Sequence, residues 1–352
     1  YYSVIGGWVI KYLVEYFRGN AKLLAEDGYF TDFISNGVST ELCFVAFCAF
    51  TLIIIFAGVQ NGIERVSKIM MPILIVLSVI IAVYSVTRPG ALAGVKYFLV
   101  PNVKNFSWMT VVSAMGQMFY SLSIAMGILI TFGSYMKKDT AIEDSTRNVE
   151  VFDTGIAIMA GLMIIPAVFA FSGGDPDTLQ AGPSLMFITI PKVFQNMGFG
   201  TVIGIVFFLL VLFAAITSSI ALTESAVSTF EDELGWGRKK ATVLVGVIML
   251  VLGSLSSLGY GPLAGIKIIG MQFLDLFDFL TNSVMMPIAA LLTSLLVSRV
   301  VGIDKIEDEI IHGESAFRRK KVFVVMIKYL CPVFAIIILL SSVANALGWI
   351  KM

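Results

Sequence analysis

The chain has 352 residues, of which 58% are hydrophobic and only 14% are charged, and its mean hydropathy is +0.92. Soluble domains average about a quarter charged residues, so this chain lacks the polar side chains that a water-soluble fold of its size needs on its surface. Its 24 basic and 24 acidic residues give a net charge of zero, which indicates no nucleic-acid partner. The composition therefore predicts a membrane protein that is surrounded by the lipid bilayer.

Nine apolar runs follow one another along the chain. A bilayer core about 30 Å thick requires about 20 apolar residues per helix, and backbone groups in lipid must form their hydrogen bonds within the segment. The runs are therefore predicted to be membrane helices, at residues 1–17, 41–59, 66–87, 110–135, 148–172, 201–230, 240–258, 268–297 and 323–348. The predicted fold class is all-α, a polytopic membrane protein with a single transmembrane domain over residues 1–352.

The loops between these runs differ in charge and in length. Basic residues are about twice as frequent in one alternating set of loops, and the positive-inside rule assigns that set to the cytoplasm. Two long loops, 18–40 and 173–200, then lie on the outer side. The second contains helix-breaking glycines and prolines around the stretch 185–194, which is too short to cross a membrane, so we expect a lid-like hairpin there.

Polar residues interrupt the run 110–135 near its middle. The stretch 117–127 contains Ser121, Ser123 and Gly127. A helix that unwinds at this point exposes backbone carbonyls to an ion or a substrate, as the broken helices of transporters do. The alternative is that these small residues form a packing face against another helix.

Asp153 is the second interruption, and its meaning depends on where its helix begins. If the helix begins near Ala141, Asp153 lies about 18 Å inside it and needs a cation or a proton as a partner. If the helix begins at Asn148, the same carboxylate is an ordinary interfacial acid.

Two further polar positions stand out. The Ala214 carbonyl and the Thr217 and Ser218 hydroxyls offer oxygen atoms of the kind that hard cations prefer, although hydroxyls in helices also bond back to the preceding turn. Asp278 lies at the mouth of the run 268–297, where it is either a solvated acid at a helix start or a gate residue.

Several stretches, in order along the chain, carry a resemblance to a known family. They are the Tyr1-Tyr2 pair followed by Gly7-Trp8, and residues 62–72, 116–123, 133–139, 182–191, 214–219 and 231–240. Together they resemble the neurotransmitter:sodium symporter family, whose members have the LeuT fold with its inverted repeats. Each stretch is weak alone, but their order and spacing make the set specific.

The resemblance implies a role for each matching residue. The substrate-binding positions are Tyr2, Tyr120, Ser121, Ser123, Met126, Ser218 and Leu222. The first sodium site is formed by Ser121 and Asp153, and the second by Ala214, Thr217 and Ser218. The outer gate contains Gln117 and Asp278.

Comparison with the family also implies departures. The chain begins inside an apolar run without a methionine, and it resembles the eleven-helix bacterial branch lacking helices one, two and part of three. Because helix one supplies much of both sodium sites in the family, we expect this chain by itself not to transport. In animal members chloride provides a negative charge beside a serine near the first sodium site. The matching residue here is Ala157, and Asp153 brings its own charge, so chloride independence is expected.

The function expected from the resemblance is Na⁺-coupled symport of an amino acid across the bacterial plasma membrane, with Na⁺ as the co-transported ion. The pocket residues Tyr120, Met126 and Leu222 favour an apolar amino acid without selecting one. No pairing of a nucleophile with a base indicates an enzyme. Two alternatives stay open: a proton-coupled amino-acid transporter of the same fold, and a membrane protein that does not transport, such as a sensor or a remnant. The sequence does not indicate the oligomeric state.

Overall fold

The computed structural model describes residues 1–175, 179, 182–346 and 349, and of Asn105 it describes the backbone alone. Within these residues the β structure is limited to an isolated bridge between Ile268 and Met271, and helices make up the rest of the regular structure. The all-α prediction is therefore confirmed.

The helices are numbered here in chain order. They are α1 (Tyr2–Phe17), α2 (Ala21–Leu24), α3 (Tyr29–Ser35), α4 (Gly37–Phe56), α5 (Val59–Val86), α6 (Ala91–Leu99), α7 (Trp108–Ser121), α8 (Ile128–Ser134), α9 (Ile142–Ser172), α10 (Leu185–Gln195), α11 (Gly200–Leu234), α12 (Arg238–Leu258), α13 (Phe273–Val301), α14 (Ile303–Gly313) and α15 (Lys320–Ala346). The chain forms two compact units. Unit 1 comprises Tyr1–Pro101 and Ile156–Leu274, and unit 2 comprises Asn102–Gly155 and Asp275–Met352.

Among the described residues, seven helices are long and apolar enough to cross a membrane: α4, α5, α9, α11, α12, α13 and α15. They correspond to seven of the nine predicted segments. The other two differ, since 1–17 forms the 16-residue α1 and 110–135 is divided into α7 and α8.

Several predicted boundaries need correction. Helix α4 begins at Gly37 rather than at 41, because the Asn36 side chain caps it by accepting a hydrogen bond from the Ser39 N–H at 3.1 Å. Helix α11 continues to Leu234 rather than ending at 230, and α13 begins at Phe273 rather than at 268. The predicted outer loop 18–40 contains the short helices α2 and α3 and ends in the first turn of α4.

The core of unit 1 is built around α1, which packs on α4 and α11. Gly7 permits the first contact, because a Cβ atom there would lie 2.7 Å from the Phe44 backbone nitrogen. Gly204 permits the second, since a Cβ atom there would lie 2.2 Å from the Tyr16 ring. Small residues allow close approach of membrane helices in this way. Aromatic rings fill the remaining space, and the Tyr12 ring stacks on Phe208 at a centroid distance of 5.3 Å.

The described part of the predicted lid over 173–200 contains one helix. Residues Leu185–Gln195 form this continuous helix, α10. The Phe187 side chain is only 1% exposed, and its carbonyl accepts a 2.7 Å hydrogen bond from the Tyr12 hydroxyl. Apolar side chains at Phe187, Ile190, Val193 and Phe194 recur at helical spacing, so this segment belongs to the core of unit 1. Residues 176–178, 180 and 181 of the predicted loop lie outside the described residues.

Unit 2 has a smaller core of its own. Phe119 of α7 packs with Met286 and Ala290 of α13 and with Ala335 and Ile338 of α15. The segment between α7 and α8 lies against this core through Ile124, Ala125 and Met126. The non-helical residues between α7 and α8, in the predicted segment 110–135, are therefore held in place by packing against this core.

Candidate functional site

The break between α7 and α8 is the first element of the site. Helix α7 ends at Ser121 and α8 begins at Ile128. Between them the backbone enters the left-handed region at Ser123 (φ 54°), Ala125 (φ 63°) and Gly127 (φ 78°). For a residue other than glycine this conformation costs about 1–3 kcal/mol, and such strain is typical of functional segments. Of the two interpretations of 117–127, the structure favours unwinding over a continuous packing face.

Asp153 lies beside this break. The Ser121 hydroxyl, in the last turn of α7, donates a 2.6 Å hydrogen bond to Asp153 Oδ1. Helix α9 begins at Ile142, so Asp153 lies about 17 Å along it and is not an acid at a helix start. Ser121 and Asp153, the two residues expected at a first sodium site, are therefore close together. Their contact places a hydroxyl oxygen beside a carboxylate.

Glu314 explains why α9 begins as early as Ile142. Its Oε1 atom accepts hydrogen bonds from the Glu143 N–H at 2.6 Å and the Asp144 N–H at 3.4 Å. These are two of the N–H groups that a helix start leaves without partners. Glu143 in turn accepts from the Arg318 N–H at 2.9 Å. A carboxylate at a helix N-terminus also complements the macrodipole, so Glu314 stabilises the turns that carry Asp153 into the helix interior.

Removal of this cap gives a local prediction. We expect Glu314→Ala to weaken the first turn of α9 by about 1 kcal/mol, as the loss of other N-terminal caps does. Hydrogen exchange followed by mass spectrometry should show backbone amides of residues 142–150 exchanging about fivefold faster. The control is Glu309→Ala, which removes an exposed acid from α14. Equal exchange in the two variants would contradict the capping role.

The α11 residues form a second group within unit 1. Ala214, Thr217, Ser218 and Leu222 are spaced by three and four residues and therefore share one face of the helix. Tyr2 lies in α1, the helix that packs on α11. The Thr217 hydroxyl donates to the Ala214 carbonyl at 3.0 Å and to the Phe213 carbonyl at 3.1 Å. The Thr217 hydroxyl therefore bonds back to the preceding turn. This bond keeps the Thr217 hydroxyl oxygen next to the Ala214 carbonyl oxygen, and both belong to the predicted second sodium site.

The predicted gate residues lie in unit 2. Asp278 is exposed, and its Oδ1 atom accepts a 2.7 Å hydrogen bond from the Asn282 amide one turn later in α13. It lies in the second turn of α13 rather than at the helix start. Gln117 is exposed on α7, one turn before Ser121, and Tyr120 is 38% exposed.

A buried ion pair in unit 1 was missed from the sequence. Glu224 in α11 is 0% exposed, and its two carboxylate oxygens accept hydrogen bonds of 2.6 and 2.9 Å from the Arg238 guanidinium. Arg238 also donates to the Ile55 carbonyl at the end of α4, at 2.9 and 3.0 Å. Arg238 therefore joins the start of α12 to the end of α4 and to the interior of α11. The available signal was an acid inside an apolar run, which a membrane helix tolerates only with a partner.

Comparison with known proteins gives three findings. The model of the Sodium:neurotransmitter symporter family matches residues 13–349. The uncharacterized sodium-dependent transporter YhdH of Bacillus subtilis is 34% identical over 347 residues, which are 97% of this chain and 76% of that protein. An uncharacterized sodium-dependent transporter of Haemophilus influenzae is 30% identical over 353 residues, with 97% and 75% covered.

A solved structure is similar to the whole described architecture. The crystal structure of MhsT in complex with L-phenylalanine superposes with a TM-score of 0.83 at 33% sequence identity, covering 97% of this chain and 77% of the MhsT chain. MhsT has the LeuT fold. The similarity therefore confirms the predicted polytopic fold class at a level of identity that also implies common descent.

Proposed function

This chain belongs to the sodium:neurotransmitter symporter family, and from that membership we propose that it takes part in Na⁺-driven, chloride-independent uptake of an apolar amino acid. Its family is one of multi-pass plasma-membrane transporters rather than enzymes. The hydrogen bond between Ser121 and Asp153 is the observation that carries the proposal for ion coupling.

Sodium coupling is supported by chemistry and by relatives. Small hard cations bind oxygen ligands, and a carboxylate compensates the charge of a monovalent cation in surroundings of low dielectric constant. Asp153 and Ser121 provide both kinds of oxygen at 2.6 Å from each other, next to an unwound backbone. The curated relatives are named sodium-dependent transporters. We assign Ser121 and Asp153 to the first sodium site.

The α11 face is assigned to the second sodium site and to part of the substrate pocket. The Ala214 carbonyl, the Thr217 hydroxyl and the Ser218 hydroxyl are its oxygen ligands in this proposal. Tyr2 of α1, the helix that packs on α11, is assigned to the substrate carboxylate.

An apolar amino acid is the proposed substrate class. The MhsT structure contains L-phenylalanine, which supports an amino acid with an apolar side chain for a related pocket. The family resemblance assigns Tyr120, Met126 and Leu222 to substrate-binding positions, and a methionine adapts to side chains of different shape. Ser123, in the unwound segment, is assigned to the polar end of the substrate. Gln117 and Asp278 keep their proposed place in the outer gate.

The test is uptake by proteoliposomes that contain the full-length protein that includes this chain, which is called the unaltered protein below. Radiolabelled L-phenylalanine should accumulate under an inward Na⁺ gradient and not under an equal K⁺ gradient. Replacement of chloride by gluconate should leave the initial rate unchanged. A proton gradient that drives the same accumulation without Na⁺ would replace the proposal by the proton-coupled alternative.

The Ser121→Ala variant tests the first sodium site in the same assay. Loss of one ligand oxygen should raise the Na⁺ concentration for half-maximal uptake about tenfold, which corresponds to about 1.4 kcal/mol. Ser134→Ala, on α8 of the same broken helix, is the matched control, since the Ser134 hydroxyl donates back to the Thr131 carbonyl of its own helix. An unchanged Na⁺ dependence in Ser121→Ala would exclude Ser121 as a ligand.

A further inference from the structure

A cavity of about 380 Å³ lies in unit 1, away from the residues of the proposed transport sites. Its lining residues are Arg88, Pro89, Ala170, Phe171, Asn196, Met197 and Gly198. They come from the segment after the end of α5 at Val86, from the last turn of α9, and from the segment before α11 begins at Gly200. Because all three helices are long enough to cross a membrane, the cavity lies where the chain leaves the apolar layer.

Arg88 is held in a fixed orientation at this cavity. Its guanidinium carbon lies 4.3 Å from the centre of the Tyr84 ring, which allows a cation–π contact. Its Nε–H donates to the Tyr84 carbonyl at 3.2 Å, and Nη2 donates to the Thr87 hydroxyl at 3.4 Å. The Tyr84 hydroxyl is itself bonded to the Gly198 carbonyl. The stacked ring therefore positions the guanidinium before any ligand arrives.

The charge of Arg88 has no carboxylate partner in the part of the chain that the structure describes. The ion pairs found there involve other basic residues. A guanidinium has five N–H donors, of which the bonds above use two, so a fork of donors remains for an anion. Arginine matches the geometry of phosphate and carboxylate groups with such a fork.

Two exposed apolar residues neighbour the lining residues in sequence and are called the apolar rim here. Leu92, three positions after the lining residue Pro89, is 78% exposed, and Phe199, directly after the lining residue Gly198, is 84% exposed. Phe199 has a left-handed backbone (φ 60°), a strained conformation for an aromatic residue, and it adjoins the lining residue Gly198. In a membrane protein, exposed apolar side chains at the ends of spans face the lipid chains.

We propose that this cavity binds the phosphate group of a glycerophospholipid from the leaflet on its side of the membrane. Arg88 pairs with the phosphate, and Leu92 and Phe199 contact the adjoining acyl chains. The place of the cavity at the ends of three spans matches the level of lipid headgroups. Arg88 could also cap the C-terminus of α5 through its bond to the Tyr84 carbonyl. Such a cap would not explain the cavity or the apolar rim beside it.

Native mass spectrometry of the detergent-purified protein tests the proposal without any need for transport. The protein is titrated with phosphatidylglycerol, with diacylglycerol, which lacks the phosphate, and with inorganic phosphate as a competitor. We expect saturable binding of phosphatidylglycerol, about tenfold weaker binding in Arg88→Gln, and partial recovery in Arg88→Lys. Arg147→Gln, which removes an exposed arginine from α9, is the control and should bind as the unaltered protein does.

The rim is tested separately by the double variant Leu92→Ala, Phe199→Ala, which should weaken phospholipid binding with Arg88 retained. Diacylglycerol should not bind at the Arg88-dependent site. Two results would overturn the proposal. One is equal phospholipid binding by Arg88→Gln and Arg147→Gln. The other is that millimolar inorganic phosphate displaces the lipid while the rim variant binds lipid normally. That combination would indicate a site for small anions. If Arg88→Gln does not fold, Arg88→Lys and the rim variant still decide between these outcomes.

Discussion

The Asp153→Asn variant is expected to lose Na⁺-driven, chloride-independent uptake, with an initial rate at least tenfold below that of the unaltered protein. Asp153 accepts the Ser121 hydrogen bond at 2.6 Å and is the charged oxygen ligand of the proposed first sodium site. An amide of the same shape keeps an oxygen but removes the negative charge that compensates the cation. Interactions with a charged group are typically worth about 1.5–3 kcal/mol, which corresponds to a change of about tenfold or more.

The chloride dependence of uptake tests the role of the Asp153 charge further. When Asp153→Asn is combined with Ala157→Ser, one turn further along α9, we expect added chloride to restore part of the uptake, because a bound anion then replaces the missing carboxylate. Asp144→Asn, an exposed acid in the first turn of the same helix, is the control and should keep the original rate. Normal uptake by Asp153→Asn in gluconate would remove Asp153 from the coupling mechanism.

The Arg238→Ala variant is expected to lose about 3–5 kcal/mol of stability. Glu224 is fully buried, so removal of Arg238 takes the guanidinium charge away from a carboxylate in an apolar environment. The Ile55 carbonyl at the end of α4 loses its donor at the same time. The melting temperature in detergent, followed by tryptophan fluorescence, should fall by roughly 5–10 °C.

Two further variants assign this effect to the buried charge. Adding Glu224→Gln to Arg238→Ala should recover part of the lost stability, since the double variant no longer buries a carboxylate. Lys68→Ala removes a lysine from the exposed pair with Glu64, and such pairs contribute only about 0–1 kcal/mol. If Arg238→Ala and Lys68→Ala melt at the same temperature, the buried pair does not stabilise the fold.

The helices were predictable because their determinants are local. Long apolar runs identify membrane helices, and the serines and glycine between Ser121 and Gly127 identify the point of unwinding. Residues 214, 217, 218 and 222 needed only helical spacing to fall on one face. In these cases the sequence within one or two turns contains the information.

The remaining features depend on contacts between residues that are distant in sequence. The start of α9, which decides how deep Asp153 lies, depends on Glu314, 171 positions later in the chain. The segment Leu185–Gln195 was predicted only as part of a longer loop, because its burial depends on the distant Tyr12 hydroxyl and on the aromatic core. Glu224 was visible as an acid in an apolar run, whereas its partner Arg238 looked like part of an ordinary loop.

Direct measurement of radioactive Na⁺ binding, without substrate and in chloride-free buffer, tests the central claim that Ser121 and Asp153 ligate sodium. The unaltered protein should bind Na⁺ saturably, Asp153→Asn should bind one ion fewer per protein, and Ser121→Ala should bind the same ion about tenfold more weakly. Identical stoichiometry and affinity in all three proteins would contradict the account.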